Sequence, residues 1–294
     1  MEIVTDLSKI RSLSQIISPS NFKKIVREDD CYSTFYKIKK YTTVTDSTTN
    51  LDAINVIYNS LLTNYKNEYV YKNILTNKLL LKKYSLKNTV ALNEFNIGKS
   101  IADFVLLNGE ARIYEIKTEL DNLEKLDKQI LDYCKFGDKV YIVTSSKHIN
   151  KLLELYKNTT IGIIELTSRN ALKTIKEAVN NEATFNYDVL FKTLRKQEYL
   201  EIIEEYFNYV PKVSNTKIFK ECLSLAKNIE IKVFQKLVVN KLKTRNISNP
   251  KKIKEKVIPE SLKHICYTLD FSNNDYEKLN SFLTKKSKIC ISRI

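Results

Sequence analysis

Residues 101–117, with the sequence IADFVLLNGEARIYEIK, decide the fold. Two apolar runs flank Asn108-Gly109, and this pattern is a strong β-hairpin signal. A strand has a period of two, so Glu115 and Lys117 lie on the same face of the second strand. Two charges inside an apolar strand are costly unless they face a cleft. The pattern therefore predicts a hairpin that carries a polar site.

The register of this hairpin decides whether its acids meet. A two-residue turn pairs Leu107 with Glu110 and leaves Asp103 and Glu115 on opposite faces. A three-residue turn, or a bulge, pairs Leu107 with Ala111 and Asp103 with Glu115. A shared site requires the second register, so we predict a three-residue turn or a bulge.

The sequence around the hairpin predicts an α/β fold. A helical apolar pattern begins at Leu51 and lasts for about thirty residues. The predicted elements that follow are a strand over 89–96, the hairpin, a helix over 120–136, a strand over 139–144, a helix over 148–156 and a strand over 161–166. The order is α-β-β-β-α-β with a further helix and strand. Strands joined by the 120–136 helix should be parallel, so we predict a mixed sheet.

Three regions are expected along the chain. Residues 1–50 form an N-terminal helical segment, with a helix start at Ser18 and a polar linker over 42–50. Residues 51–170 form the sheet-containing core. Residues 171–294 form a basic helical accessory domain, with helices predicted over 189–194, 199–207, 218–225 and 231–242.

The charge of the chain indicates a nucleic-acid partner. The 294 residues carry 49 lysines and arginines against 34 acidic residues, a net charge of +15. Residues 211–294 alone have 19 basic against 7 acidic residues. Such a segment can neutralise phosphates and gain from counterion release. The lysines of 251–256 either contact phosphates or form a solvated loop.

Several classes of protein are excluded by composition. The apolar runs are far shorter than a membrane span, and Glu2 and Asp6 interrupt the N-terminus, so we expect no membrane segment and no secretory signal. Five scattered cysteines indicate reduced thiols and a cytoplasmic location. Four glycines and two histidines leave no phosphate-binding glycine loop and no multi-histidine metal site.

Carboxylates and lysines are then the candidates for chemistry. Asp103 and Glu115, converging on one point, offer the oxygen ligands that Mg²⁺ prefers. Lys117 beside them can hold a nucleophilic water or stabilise transition-state charge. This combination is typical of phosphodiester hydrolysis, with Mg²⁺ as the cofactor and Mn²⁺ as a substitute.

These motifs resemble the PD-(D/E)XK nuclease superfamily, whose members include restriction endonucleases, Holliday-junction resolvases and RecB-like exonuclease domains. The resemblance rests on residues 101–104 and 113–117 in an αβββαβ order, and Ala102 stands where a proline would precede the aspartate. It implies a restriction-endonuclease-like core in which Asp103 and Glu115 bind metal and Lys117 is catalytic. Glu68, on the preceding helix, resembles the helical glutamate that completes the metal site in resolvases. Glu94 is a competing candidate.

A second motif strengthens the resemblance. Gln129 and Tyr133 are one helical turn apart and share a face. The same Gln-x-x-x-Tyr pattern marks RecB-like nuclease domains, where it lines the active site and contacts DNA. The resemblance thus implies catalytic-site roles for both residues, in the resolvase and RecB-like branch and near an uncharacterised bacterial restriction-like family. From spacing alone, a surface glutamine and a core tyrosine are an alternative.

The function predicted from sequence is a metal-dependent nuclease, with DNA favoured over RNA, in defence or mobile-element processing. One alternative is a nucleic-acid-binding protein that kept the nuclease fold without its chemistry, and another is an RNA-directed nuclease. A third is an assembly protein with a basic helical tail. A homodimer is compatible with the sequence.

Overall fold

The computed structural model of the protein describes residues 4–42 and 47–287. Its helices are α1 (Leu7–Ser14), α2 (Pro19–Arg27), α3 (Tyr32–Tyr41), α4 (Asn50–Asn64), α5 (Glu68–Leu75), α6 (Leu126–Cys134), α7 (Ser146–Leu155), α8 (Tyr187–Lys192), α9 (Lys196–Phe207), α10 (Asn215–Ala226), α11 (Ile231–Leu242), α12 (Lys263–Thr268) and α13 (Asn273–Thr284). Its strands are β1 (Val90–Ile97), β2 (Ser100–Leu107), β3 (Ala111–Lys117), β4 (Lys139–Thr144), β5 (Gly162–Leu166) and β6 (Leu172–Lys176).

The chain divides into two units that are discontinuous in sequence. The helical unit comprises Met1–Lys87 and Ile247–Ile294, and the sheet unit comprises Asn88–Asn246. This division differs from the three consecutive regions expected from sequence. Helices α4 and α5 belong to the helical unit, whereas α8 to α11 belong to the sheet unit. Of the expected linker over 42–50, residues 43–46 lie outside the described residues, as does Cys290.

The sheet unit contains a six-stranded mixed sheet in the order β1-β2-β3-β4-β5-β6. The β1, β2 and β3 strands are antiparallel, β3, β4 and β5 are parallel, and β6 is again antiparallel. The α/β class, the mixed sheet and the parallel pairing across α6 are therefore confirmed. Strand β6 departs from the sequence-based prediction, which places almost only helices after about residue 170.

The predicted three-residue turn is present between β2 and β3. Leu107 pairs with Ala111 and Phe104 with Tyr114, which leaves residues 108–110 in the turn. The amide of Asn108 donates to the carbonyl of Glu110, with a nitrogen-to-oxygen distance of 3.0 Å. Gly109 has φ +73°, a left-handed conformation that such a turn requires and that glycine adopts at little cost. Continued by one pair, this register places Asp103 opposite Glu115.

One face of the sheet forms the core of its unit. Side chains of β1 to β5 pack there with the apolar faces of α6 to α11. Tyr133, Phe136, Phe191 and Phe234 are fully buried in this core. Burying an aromatic side chain of this kind contributes roughly 1.5–3 kcal/mol. The predicted C-terminal helices are confirmed as helices, and α8 to α11 complete the core of the sheet.

The helical unit is built from α1 to α5, α12 and α13. Ser18 caps α2 as predicted, since its hydroxyl accepts from the amide of Asn21 at 3.3 Å. The helical pattern that begins at Leu51 is interrupted after Asn64, and Asn67 caps a second helix. A π-helical turn, Thr76–Lys83, continues α5. Along the described ranges, no helix of the chain combines the length and the apolar character that a membrane crossing needs.

Candidate active site

Asp103 lies on β2, the second strand of the six-stranded sheet. Its Oδ2 accepts a hydrogen bond of 2.7 Å from the backbone amide of Ile116 on β3. The side chain is partly exposed, so it is held at the strand pair and still reaches solvent. The predicted hairpin register is what brings this carboxylate beside the residue that follows Glu115.

Glu115, on β3, is buried, with 1% of its surface exposed. Its Oε1 accepts from Lys117 Nζ at 2.8 Å, and its Oε2 accepts from the Tyr133 hydroxyl at 2.8 Å. A buried carboxylate is tolerated only when charge and hydrogen bonds compensate its lost hydration. Glu115 has both, so it anchors Lys117 and Tyr133 in one network.

Lys117 connects the strand to the helix that follows it. Its ammonium also donates to Gln129 Oε1 on α6, with a distance of 3.0 Å. Gln129 thus lies beside the predicted catalytic lysine, and Tyr133 lies one turn further along the same helix. The helix brings these two residues to β3 because Leu126, Ile130 and Tyr133 bury its apolar face.

The Tyr133 hydroxyl lies between two acceptors. It is 2.8 Å from Glu115 Oε2 and 2.7 Å from the carbonyl oxygen of Ile101, and its single proton can serve one of them at a time. Burial raises the pKa of Tyr133 well above its ordinary value, and the negative charge of Glu115 raises this pKa further. The phenol therefore stays protonated and acts as a hydrogen-bond donor to the site.

Glu94, on β1, lies beside Asp103. Strand pairing runs on both sides of this point, with Asn93 opposite Phe104 and Phe95 opposite Ala102. Glu94 has φ +50°, a left-handed conformation that costs a side-chain-bearing residue roughly 1–2 kcal/mol. One carboxylate oxygen of Glu94 and one of Asp103 lie within 4.8 Å of each other. Two oxygens that share one hard divalent cation are at most about 4.2 Å apart for Mg²⁺ and about 5.2 Å for Ca²⁺, so a separation under 4.8 Å is compatible with a shared cation.

Glu68, the other predicted metal ligand, is the first residue of α5 in the helical unit. Its carboxylate forms an ion pair with Lys72 one turn along the helix, with a distance of 2.5 Å. It is exposed, whereas the lysine is mostly buried. Its role as a metal ligand stays a prediction.

Asp103, Glu115, Lys117, Gln129 and Tyr133 thus occupy adjoining positions on β2, β3 and α6. The sequence-based predictions missed Asp132, whose Oδ2 accepts from the Lys99 amide and the Ser100 hydroxyl, both at 3.0 Å. These bonds join the turn before β2 to α6. A signal was available, since Gly98 marks a turn there and Asp132 follows Gln129 by three residues.

Comparison with known proteins shows one family over most of the chain. The sequence profile of bacteriophage P4 protein cII matches residues 62–265. Protein cII of Enterobacteria phage P4 is 24% identical over 171 residues, which cover 56% of this chain and 63% of that protein. The chain therefore spans less than two thirds of this relative's length.

A solved structure also shows a partial likeness. A protein of unknown function from Silicibacter pomeroyi has 16% identity, over 32% of this chain and 62% of that one, with a TM-score of 0.26. At this TM-score the likeness carries no argument about fold or function. The family assignment rests on the profile, which spans the sheet unit and parts of the helical unit. The chain belongs to the bacteriophage P4 protein cII family.

Proposed function

We propose that the protein is a metal-dependent nuclease that hydrolyses phosphodiester bonds, with DNA as the favoured substrate. The proposal includes a restriction-endonuclease-like core of the PD-(D/E)XK type. One observation carries it: the network in which buried Glu115 holds Lys117 and Tyr133, with Gln129 on the same lysine. Glu115 is buried, whereas Lys117 and Gln129 are half-buried, so the charged network extends from the core to the surface, as a reactive site requires.

The divalent cation would be held by the exposed side of this network. Asp103 and Glu94 provide carboxylate oxygens at a compatible separation, and Glu115 is the second acid of the motif. When bound, Mg²⁺ would supply Lewis acidity at the attacked phosphate. Glu68 remains the helical candidate for the same ion.

The chain's own residues would orient the reacting groups and stabilise the negative charge that develops on them. In hydrolysis, a water oxygen forms a bond to phosphorus, one phosphorus–oxygen ester bond breaks, and the water proton is released as the leaving oxygen is protonated. Lys117 would orient the water or stabilise the negative charge that develops. Glu115 and Gln129 keep its ammonium in place, so little reorganisation is needed at the moment of reaction.

The net charge of +15 supports nucleic acid as the partner. Phosphate contacts from lysines supply affinity without sequence choice.

A substrate panel tests the proposal. Duplex, single-stranded and branched DNA and RNA are incubated with Mg²⁺, with Mn²⁺ or with EDTA. We expect cleavage of DNA with either cation and none with EDTA. Lys117→Ala should reduce the rate by about 10²–10³-fold, as expected when a charge that stabilises the transition state is removed. Lys125→Ala, which removes an exposed lysine just before α6, is the matched control.

Three results would change the conclusion. Salt-sensitive binding without cleavage under every condition would favour the non-catalytic nucleic-acid-binding protein. Cleavage of RNA alone would transfer the activity to an RNA-directed nuclease. Absence of both binding and cleavage would overturn the proposed function.

A further inference from the structure

A cavity of about 380 Å³ lies in the sheet unit, separate from the network around Glu115. It is bounded by the turn at Gly98 and Lys99, by the outer face of α6 and by α8. Four lysines line it: Lys99, Lys128, Lys135 and Lys192. We call it the lysine pocket. The lysines come from three elements that are distant in sequence. Their proximity is therefore a result of the fold and not of a run of lysines in the sequence.

Three of these lysines form no ion pair in the described part of the chain. In the described part of the chain, Lys99, Lys128 and Lys192 have no carboxylate within ion-pair distance and are exposed. The lining acids are already satisfied. Asp132 accepts from Lys135 Nζ at 2.9 Å, and Asp188 forms an ion pair with Lys227 at 3.2 Å. The lining therefore has four lysines against two aspartates, a net formal charge of +2.

The floor of the pocket is fixed by hydrogen bonds. Asp132 is buried and receives the Lys99 amide and the Ser100 hydroxyl. Although burial opposes them, these donors and the Lys135 ammonium lower the pKa of Asp132, so the carboxylate stays ionised. Gly98 has φ +63°, and a Cβ there would stand 2.8 Å from the Asp132 carboxylate. The turn that presents Lys99 is thus held against α6.

The wall of the pocket is apolar. Leu131 leaves 66% of its surface exposed, and Val189 lies on the α8 side. Exposed apolar side chains next to unpaired lysines suit a ligand with an anionic group and an apolar part. The sugar and base of a nucleotide, joined to their phosphate, have this character. A free inorganic phosphate would leave the apolar wall unused.

The position of the pocket connects it to the candidate active site. Lys128 precedes Gln129, which contacts Lys117. Lys99 is four residues before Asp103, so the two are separated by no more than about 13 Å along the chain. This distance corresponds to the rise of about four nucleotides in one strand. A strand engaged at Asp103 can therefore reach the lysine pocket.

We propose that the lysine pocket binds an uncleaved phosphate of the nucleic-acid strand, with the adjacent sugar against Leu131. The proposal rests on the proposed function, because it assigns a further subsite to the same substrate. It explains three unpaired lysines around an ordered turn. The pocket holds the strand, and the network around Glu115 acts on it.

The test is binding measured in EDTA, so that it does not depend on cleavage. Fluorescence anisotropy gives the affinity of a labelled single-stranded oligonucleotide at several salt concentrations. Lys128→Gln combined with Lys192→Gln should weaken binding by about tenfold, the effect of removing a charge-assisted hydrogen bond. It should reduce the dependence of the logarithm of the binding constant on the logarithm of the salt concentration by about 0.7, because one phosphate is no longer neutralised. Lys151→Gln with Lys157→Gln, two exposed lysines elsewhere in the sheet unit, should change neither value.

The outcomes separate the pocket from the proposed function. Wild-type cleavage together with unchanged binding and slope in the pocket variant would overturn the pocket and leave the nuclease standing. Equal loss in the control variant would overturn it in favour of a general charge effect. A calorimetric titration with inorganic phosphate completes the test: binding of free phosphate without oligonucleotide binding would overturn the assignment to a strand. A wild type that neither binds nor cleaves nucleic acid would remove both proposals.

Discussion

The two units of the chain differ in charge and in chemical content. The helical unit has 24 lysines and arginines against 13 acidic residues, whereas the sheet unit has 25 against 21. The candidate active site lies in the sheet unit, where the charge excess is small. Of the net charge of +15, the helical unit carries +11 and the sheet unit +4. Under the proposed function, most of the charge excess that attracts phosphates would belong to the helical unit, whereas the residues that act on phosphates would belong to the sheet unit.

This division revises the view of a single basic tail. Residues 211–246 carry nine basic and two acidic residues and belong to the sheet unit, where α10 and α11 complete its core. Residues 247–294 carry ten against five and belong to the helical unit. The basic excess that is continuous in sequence is therefore shared between two structures. Substitutions confined to one unit can test whether the units also divide the work.

The largest effect is expected in the sheet unit. Asp103→Ala and Glu115→Ala should each lower cleavage by at least about 100-fold, because each removes a proposed metal ligand or its support. Thermal unfolding followed by circular dichroism should show that both variants fold. Glu119→Ala, an exposed acid just beyond β3, is the control. Wild-type cleavage rates in either site variant would refute the assignment.

The next effect concerns the charge of the helical unit. Reversing Lys251, Lys252, Lys254 and Lys256 to glutamate should weaken duplex binding and flatten its salt dependence by about 0.9 for each phosphate that the protein no longer neutralises. The metal requirement should stay the same. Lys252 and Lys254 lie in a short 3₁₀ turn, Lys252–Lys254, and three of the four lysines are exposed.

Four exposed lysines of the sheet unit provide a matched comparison: Lys151, Lys157, Lys217 and Lys220. Reversing them produces the same change in net charge. If both quadruple variants lose the same affinity for duplex DNA, the two units do not differ in their contribution to phosphate binding. If the 251–256 variant keeps the wild-type affinity and slope, that segment is a solvated loop.

His264, a buried histidine of the helical unit, should make the free energy of unfolding sensitive to acid. Burial, with a smaller contribution from the positive charge of nearby Lys72, lowers the pKa of His264 from 6.5 to about 3. Below pH 6.5 the unfolded chain binds a proton that the folded chain refuses until about pH 3. The contribution of this neutral imidazole is complete above pH 6.5 and is lost as the pH falls towards 3, at roughly 1.4 kcal/mol per pH unit.

His264→Gln should therefore flatten the decline in the free energy of unfolding between pH 6.5 and 4.5. The variant should be less stable at pH 7.5, since Thr76 Oγ1 lies 2.9 Å from Nδ1 of the native ring. Urea titrations at four pH values measure this decline. His148→Gln, in the sheet unit, is the control. A decline of wild-type steepness in His264→Gln would assign the acid sensitivity to other groups.

A smaller effect should rank the two candidate ligands. Glu68→Ala should lower the cleavage rate at least as much as Glu94→Ala, by about tenfold, if the helical glutamate completes the metal site. Rates measured across a Mg²⁺ titration would separate weakened metal binding from a slower reaction at saturating metal. The reverse ranking would transfer the role to Glu94, whose carboxylate lies beside Asp103 in the same unit.

The smallest effect concerns the backbone of Glu94. Glu94→Gly should stabilise the sheet unit by about 1 kcal/mol over Glu94→Ala, because glycine adopts the left-handed φ of +50° without a clash. Both variants lack the carboxylate and should have the same reduced activity. Chemical denaturation measures the difference. Equal stability of the two variants would mean that the strand relaxes when the glutamate is removed.

The parts of the fold that were predicted have strong local signals. Asn108-Gly109 marks a turn, alternating residues mark the strands, and a crossover helix of sufficient length permits a parallel pair. Strand β6 lacked such a signal, because its burial pattern shows exposed and half-buried positions with no alternating apolar face. The interruption after Asn64 was missed because the apolar pattern continues through it.

The remaining features depend on distant residues. The return of residues 247–287 to the helices of 4–75 is stabilised by contacts such as Arg27 to Asp275 and Tyr69 to the Ser261 carbonyl, and no spacing in the sequence predicts these contacts. The residues of the network around Glu115 could be predicted, because the period of the strand and the period of the helix place them on known faces. The left-handed conformation of Glu94 could not be predicted, since nothing in a non-glycine residue signals that conformation.

Gly98 and Asp132 form a joint constraint on how this sequence can change. A side chain at position 98 would occupy the space of the Asp132 carboxylate, and a shorter or uncharged residue at 132 would release the turn that the glycine permits. A substitution at either position alone should therefore destabilise the contact between the turn and α6. In an alignment of relatives, these two positions should therefore be retained together or replaced together, and such covariation would trace the same contact through evolutionary history.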